Sequence, residues 1–128
     1  MANTKKVILV VEDETPMRRV LCDKLIREGF GVLEAKNGEE GLALAISDKP
    51  DLILLDIVMP KKDGVTTLRE LRAQNEWGKT VPVIILTNLA EDDALNKEVS
   101  FDEPAFYLAK SNWAIEDVVE KVKERLGI

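Results

Sequence analysis

The residues of this chain best suited to chemistry are acids that close short apolar runs. Glu12 and Asp13 follow the run Val7 to Val11, and Asp56 follows Leu52 to Leu55. Thr87 ends a run that begins at Val81, and Lys110 ends one that begins at Pro104. A strand-end acid is by itself most often a solvated loop residue or a helix cap, a threonine there a β-former and a lysine solvated, but all five at corresponding ends are harder to obtain by accident. Three carboxylates brought to one crevice repel each other, and their ionised state is costly unless a cation joins them. Mg²⁺ suits a few carboxylate oxygens with several retained waters, and it leaves positions for a phosphoryl oxygen. With that charge screened, an Asp carboxylate can attack phosphorus and become an acyl phosphate. Lys110 would supply fixed positive charge to the phosphoryl oxygens, and the Thr87 hydroxyl would donate to another.

The elements that must position these residues are legible in the pattern. Val7 to Val11, Phe30 to Ala35, the run through Asp56, Val81 to Leu86 and Pro104 to Ala109 read as strands, several of them buried on both faces. Pro82 falls at the start of the fourth, where a missing donor is least harmful. Thr15 is read as the cap of a helix with Pro16 at its first position, in which Met17, Val20, Leu21 and Leu25 recur at helical spacing before Gly29. Asn37, with Glu40 three residues on, starts a second helix carrying Leu42, Ala45 and Ile46, and Pro50 ends it. A turn through Asp63-Gly64 leads into a third with Val65, Leu68 and Leu71. A fourth, at about 91–99, has a thin apolar face. Asn112 caps the last, with Ile115, Val118, Val119, Val122 and Leu126 as its stripe and Gly127 as its stop. Strict alternation implies an α/β domain, doubly wound, with a five-stranded parallel sheet covered by five helices. Glu12, Asp13, Asp56, Thr87 and Lys110 then share the rim where open α/β sheets bind ligands. One domain over residues 1–128 accounts for the whole length.

Composition excludes several classes. The chain is acidic, with a formal charge of -6, whereas affinity for phosphate backbones comes from clustered Lys and Arg, so no direct nucleic-acid partner is expected. Histidine is absent, which removes His-based acid/base catalysis and the usual zinc ligands. Cys22 is the single cysteine; it reads as a partly buried helix residue and fits a reducing, cytoplasmic setting. No apolar run approaches the ~20 residues of a membrane span, so no membrane partner is expected.

The pair Glu12-Asp13 after a strand, the run Asp56-Ile-Val-Met59-Pro60-Lys-Lys-Asp63-Gly64, the strand-end Thr87 and Tyr107-Leu-Ala-Lys110 resemble the receiver domain of two-component response regulators over essentially the full length. The resemblance implies the flavodoxin-like strand order 2-1-3-4-5 and phosphorylation of Asp56 by a histidine kinase or a phosphotransfer protein. It implies Mg²⁺ held by Asp13, Asp56 and the Val58 backbone carbonyl, with Glu12 acting through water. Thr87 and Tyr107 would be the switch residues, reshaping the face of the helix at 91–99, the fifth strand and the last helix for an output protein. The domain would be a switch catalysing only its own phosphorylation and dephosphorylation, and the resemblance allows a phosphorylation-dependent dimer. Arg18, Arg19, Cys22 and Trp113 are candidates for the donor contact, since family members meet the kinase at the first helix and the loop after the fifth strand.

The chain also departs from the family pattern. Ser111 stands where a proline usually follows the lysine, and the Lys110-Ser111 bond is expected trans because a cis bond there would cost roughly 2.5 to 4 kcal/mol. Asn88 replaces a small residue after the switch threonine, and Glu103-Pro104 replaces a Gly-Ala-like step. Val58 and Leu89 are apolar where the family flanks the route of attacking water, which predicts a long-lived acyl phosphate. The rival readings are a degenerate receiver acting as a constitutive binding module, a haloacid-dehalogenase-type phosphatase and a flavodoxin-like flavin carrier. The phosphatase would want a second Asp where Val58 stands, and the flavin carrier would want a Ser/Thr/Gly-rich loop after the first strand.

Overall fold

Alternate residues of a strand point to opposite faces of a sheet, so a strand that is apolar throughout must be covered on both sides. That is the arrangement here. A computed structural model of the chain describes residues 5–56, 64–74, 76–87, 106–109 and 115–128. In β1 (Val7–Val11), β3 (Leu52–Asp56) and β4 (Val83–Thr87), residues Ile8, Val10, Leu52, Leu54, Ile84 and Leu86 enter one core. Their neighbours Leu9, Val11, Ile53, Leu55, Val83 and Ile85 enter the other. The first core is closed by Leu21, Cys22 and Leu25 of α1 (Thr15–Arg27) and by Val118, Val119 and Val122 of α5 (Ile115–Leu126). The second is closed by Ala45 of α2 (Gly38–Asp48) and by Leu68 and Leu71 of α3 (Gly64–Arg72). A fully buried Leu or Ile contributes about 1.5 to 3 kcal/mol, so these two layers hold the sheet that carries the acids.

The strands are parallel and run β2-β1-β3-β4, with β2 at Gly31–Ala35. The backbone of β5 (Phe106–Ala109) lies beside β4, with Thr87 opposite Ala109 and Ile85 opposite Tyr107. Val11 pairs with both Ala35 and Leu55, and Asp56 pairs with Leu86. The strand ends of β1 and β3 are therefore level, which brings Glu12 to the same edge as Asp56.

The local signals act as expected in α2. The Asn37 side chain accepts from the Glu40 amide at 2.9 Å, and a Glu40 carboxylate oxygen accepts from the Lys36 amide at 3.1 Å. These bonds satisfy amide groups at a helix start that have no partner within the helix. At the other sheet edge, Asp51 makes two bonds to one residue: its carboxylate accepts from the Val7 amide at 2.8 Å and its own amide donates to the Val7 carbonyl at 2.8 Å. The turn after α1 uses Gly29 at φ 98°, a left-handed conformation that side chains resist.

Several expectations need correction. Thr15 is already helical, and Glu14 is the N-cap, without a side-chain capping bond. Val20 and Ile46, counted into apolar stripes, are 53% and 38% exposed; the stripes are narrower because Leu21 and Leu25, and Ala45, already fill the space above the sheet. β2 starts at Gly31 rather than Phe30 and β4 at Val83 rather than Val81. A short helix, α4 (Glu76–Thr80), was not anticipated, because five residues show no periodicity. It is tied down by Arg72, whose guanidinium donates to the Gly78 carbonyl at 2.9 Å and the Val81 carbonyl at 2.7 Å. The helix expected at about 91–99, the Glu103-Pro104 step and the Asn112 cap lie outside the described residues.

Candidate functional site

Glu12 stands one residue beyond β1. Its amide donates to the Ala35 carbonyl at 3.0 Å, continuing the ladder to β2, and its residue is fully buried. Asp56 is the last residue of β3 and is 3% exposed. Asp13 sits half-buried at the mouth of the same edge. One carboxylate oxygen from each of Glu12, Asp13 and Asp56 lies within 4.8 Å of the others. Burial weakens the shielding that water would give these charges, so the cluster favours a cation among them. An all-oxygen set of hard carboxylates fits Mg²⁺, a cation that binds through one or two carboxylates and keeps several waters.

The loop that carries the first two acids is held by hydrogen bonds. The Glu14 amide donates to a Glu12 carboxylate oxygen at 3.2 Å, and the Arg18 amide donates to the Glu14 carbonyl at 2.9 Å. The Arg18 guanidinium donates to the Glu12 carbonyl at 2.9 Å and to a Glu34 carboxylate oxygen on β2 at 3.1 Å.

The family model for the response regulator receiver domain matches residues 8–123, nearly the whole chain. The chain belongs to that family. The receiver is 43% identical over 105 residues to the transcriptional regulatory protein CpxR of Klebsiella pneumoniae, covering 80% of this chain and 42% of that one. It is 36% identical over 119 residues to the transcriptional regulatory protein ResD of Bacillus subtilis, covering 93% of this chain and 47% of the relative. This receiver thus spans less than half the length of the curated relatives it matches. Among solved structures it superposes on the receiver domain of the Francisella response regulator 1452 with a TM-score of 0.85 at 27% identity, covering 96% of this chain and 98% of that one. Receiver domains act as phospho-acceptor switches in two-component signalling, not as classical enzymes, with aspartyl phosphate and Mg²⁺ as standard features. Family membership removes the phosphatase and flavin-carrier readings.

Of the residues singled out by sequence, Glu12, Asp13 and Asp56 come together. Thr87 and Tyr107 take their places on β4 and β5 as strand positions. Val58, Asn88, Leu89, Lys110, Ser111 and Trp113 lie outside the described residues. Two candidates for the donor contact change character. Cys22 is 3% exposed within the core under α1, and burial pushes its thiol up to about 12. The Arg18 side chain is only 15% exposed and turns toward the acidic loop. Sequence reasoning placed Arg18 on an outward surface; the available signal was its position one turn beyond Glu14, with an acid on the neighbouring strand at Glu34. Among the described residues, no helix is long and apolar enough to cross a membrane.

Proposed function

We propose that this receiver accepts a phosphoryl group on Asp56 in a Mg²⁺-dependent transfer from the phosphohistidine of a histidine kinase or phosphotransfer protein. The observation that carries the proposal is the meeting of Glu12, Asp13 and Asp56 oxygens within 4.8 Å at the level ends of β1 and β3. Mg²⁺, when bound, would neutralise the carboxylates and the incoming phosphoryl oxygens. Asp13 and Asp56 would hold it, with the Val58 carbonyl as a third protein ligand and Glu12 acting through water. A carboxylate oxygen of Asp56 attacks phosphorus, the P–N bond to the donor imidazole breaks, and the imidazole departs with the electron pair and takes up a proton. Lys110 balances charge on the phosphoryl oxygens, and Thr87 donates to another.

The rest of the switch follows from the same reading. In this reading the sheet is five-stranded and doubly wound in order 2-1-3-4-5, and one domain covers residues 1–128. Thr87 and Tyr107 carry the phosphorylated state to the face that includes β5 and α5, where an output protein or a second copy of the receiver docks. The level parallel registers at Thr87 and Ala109 support this route. Intact-mass spectrometry after incubation with phosphoramidate, with and without Mg²⁺, tests the proposal. The expected result is one added phosphoryl group that requires both Mg²⁺ and Asp56, and is absent from Asp56→Ala. A folded wild-type protein that gains no mass would instead make it a degenerate receiver that binds its partners constitutively.

A further inference from the structure

We infer that Arg18 is a positioning residue for the acidic site, acting through the peptide plane that joins Glu12 to Asp13. The inference rests on the reading of Glu12, Asp13 and Asp56 as a Mg²⁺ site. On the β3 side, the register of β1 runs to Val11 opposite Leu55. On the β2 side the Glu12 amide still reaches the Ala35 carbonyl. The Glu12 carbonyl, at the edge where the ladder stops, takes its hydrogen bond from the Arg18 guanidinium at 2.9 Å. A peptide unit is planar, so fixing this carbonyl fixes the direction of the Asp13 amide and the exit of the chain toward the Asp13 side chain.

The guanidinium is itself held. Its Nε donates to Glu34 on β2 at 3.1 Å, and the Arg18 side chain is 15% exposed against 52% for Glu34. An ion pair with so exposed an acid contributes little to stability. Its consequence is geometric: a planar fork tied at one edge to β2 presents its other edge to the Glu12 carbonyl. Lysine carries its three donors on one nitrogen and lacks the planar fork that spans these two acceptors. The arginine comes from the first turns of α1, whose start is anchored by the Arg18 amide on the Glu14 carbonyl. Strand, loop and helix are thereby locked around the two residues that would face the metal with Asp56. Groups that orient metal ligands typically change affinity by about 10- to 100-fold when removed.

Mg²⁺ titration followed by amide NMR, together with the Mg²⁺ dependence of phosphorylation by phosphoramidate, tests this on wild type, Arg18→Ala, Arg18→Lys and Glu34→Gln. Arg27→Ala, an exposed change of equal charge on the same helix, is the control. The expected result for Arg18→Ala is Mg²⁺ affinity weakened by about 10-fold, with the phosphorylation rate restored at saturating Mg²⁺. Arg18→Lys recovers only part of the loss, and Arg27→Ala matches wild type. A purely structural role would lower the melting temperature and leave the half-saturating Mg²⁺ concentration unmoved, and that result in Arg18→Ala or Arg18→Lys overturns the inference. If wild type itself binds no Mg²⁺, the site reading falls and the role of Arg18 with it.

Discussion

Asp51 and Asp56 are the same residue type five positions apart, at opposite ends of the strand that runs through the centre of the sheet. Asp51 meets the first residue of β1 and accepts a hydrogen bond from its amide at 2.8 Å. Asp56 meets the far end of β1 and finds two more carboxylates there. One acid closes the ladder; the other leaves it open to a cation. The difference lies in what the parallel neighbour offers at each end. A parallel strand begins with an unused amide donor, which an acid can accept from, and it finishes at the crevice where the loops gather acidic side chains.

Exchanging the roles of the two ends is the most direct way to break that contrast. Asp56→Asn is expected to abolish phosphoryl acceptance and, by removing one of three clustered charges, to raise stability by on the order of 1 kcal/mol. Asp51→Asn should accept phosphate at the wild-type rate, and loss of acceptance in Asp51→Asn by the mass assay would erase the distinction. Next in size is Gly41→Ala in α2. A Cβ there would lie 2.8 Å from the Val11 Cγ2, and Val11 is a stiff, buried side chain immediately before Glu12. Overpacking should cost about 1 to 3 kcal/mol in urea denaturation. It should also weaken Mg²⁺ binding, since it pushes on the site end of β1.

Asp51→Ala sharpens the contrast from the other side. It leaves the Val7 amide without its carboxylate acceptor, an expected loss of about 1 to 2 kcal/mol in the same denaturation experiment, with Mg²⁺ affinity unchanged. The smallest effect belongs to Glu28, which is hydrogen-bonded to Lys123 of α5 at 2.9 Å and lies 3.4 Å from Lys24. These partners, Lys123 first, hold its carboxyl below the ordinary glutamate range. A lowered folded-state pKa contributes stability that is present above the unfolded pKa and lost as pH falls through the folded one. Glu28→Gln should therefore separate slightly from wild type in thermal melts at neutral pH and converge with it in acid.

How much of this was legible depended on the range of the signal. Strand identity was readable because Val7 to Val11 and Leu52 to Leu55 are apolar at every position yet too short for an ordinary helix, which suits a strand covered on both faces. The Asn37 and Glu40 cap was readable because both partners lie within one turn. Glu12, Asp13 and Asp56 could be grouped because alternation sends the ends of parallel strands to one edge. The role of Arg18 was not readable, since an arginine on a helix face looks solvated until the strand beside it is known to carry Glu34. Cys22 and Val20 show the same limit: two residues apart on α1, one is sealed in the core and the other is exposed, and periodicity alone does not say where the stripe ends. Short α4 has too few residues for any pattern to emerge.

The sealed thiol under α1 has a practical consequence. With Cys22 3% exposed and burial pushing its thiol up to about 12, the group stays a protonated, shielded thiol at pH 8. Maleimide or iodoacetamide would pass it by in the folded protein. A cysteine placed on the exposed outer side of α1 or α5 would then take a spin label or fluorophore alone, with the native residue left in place.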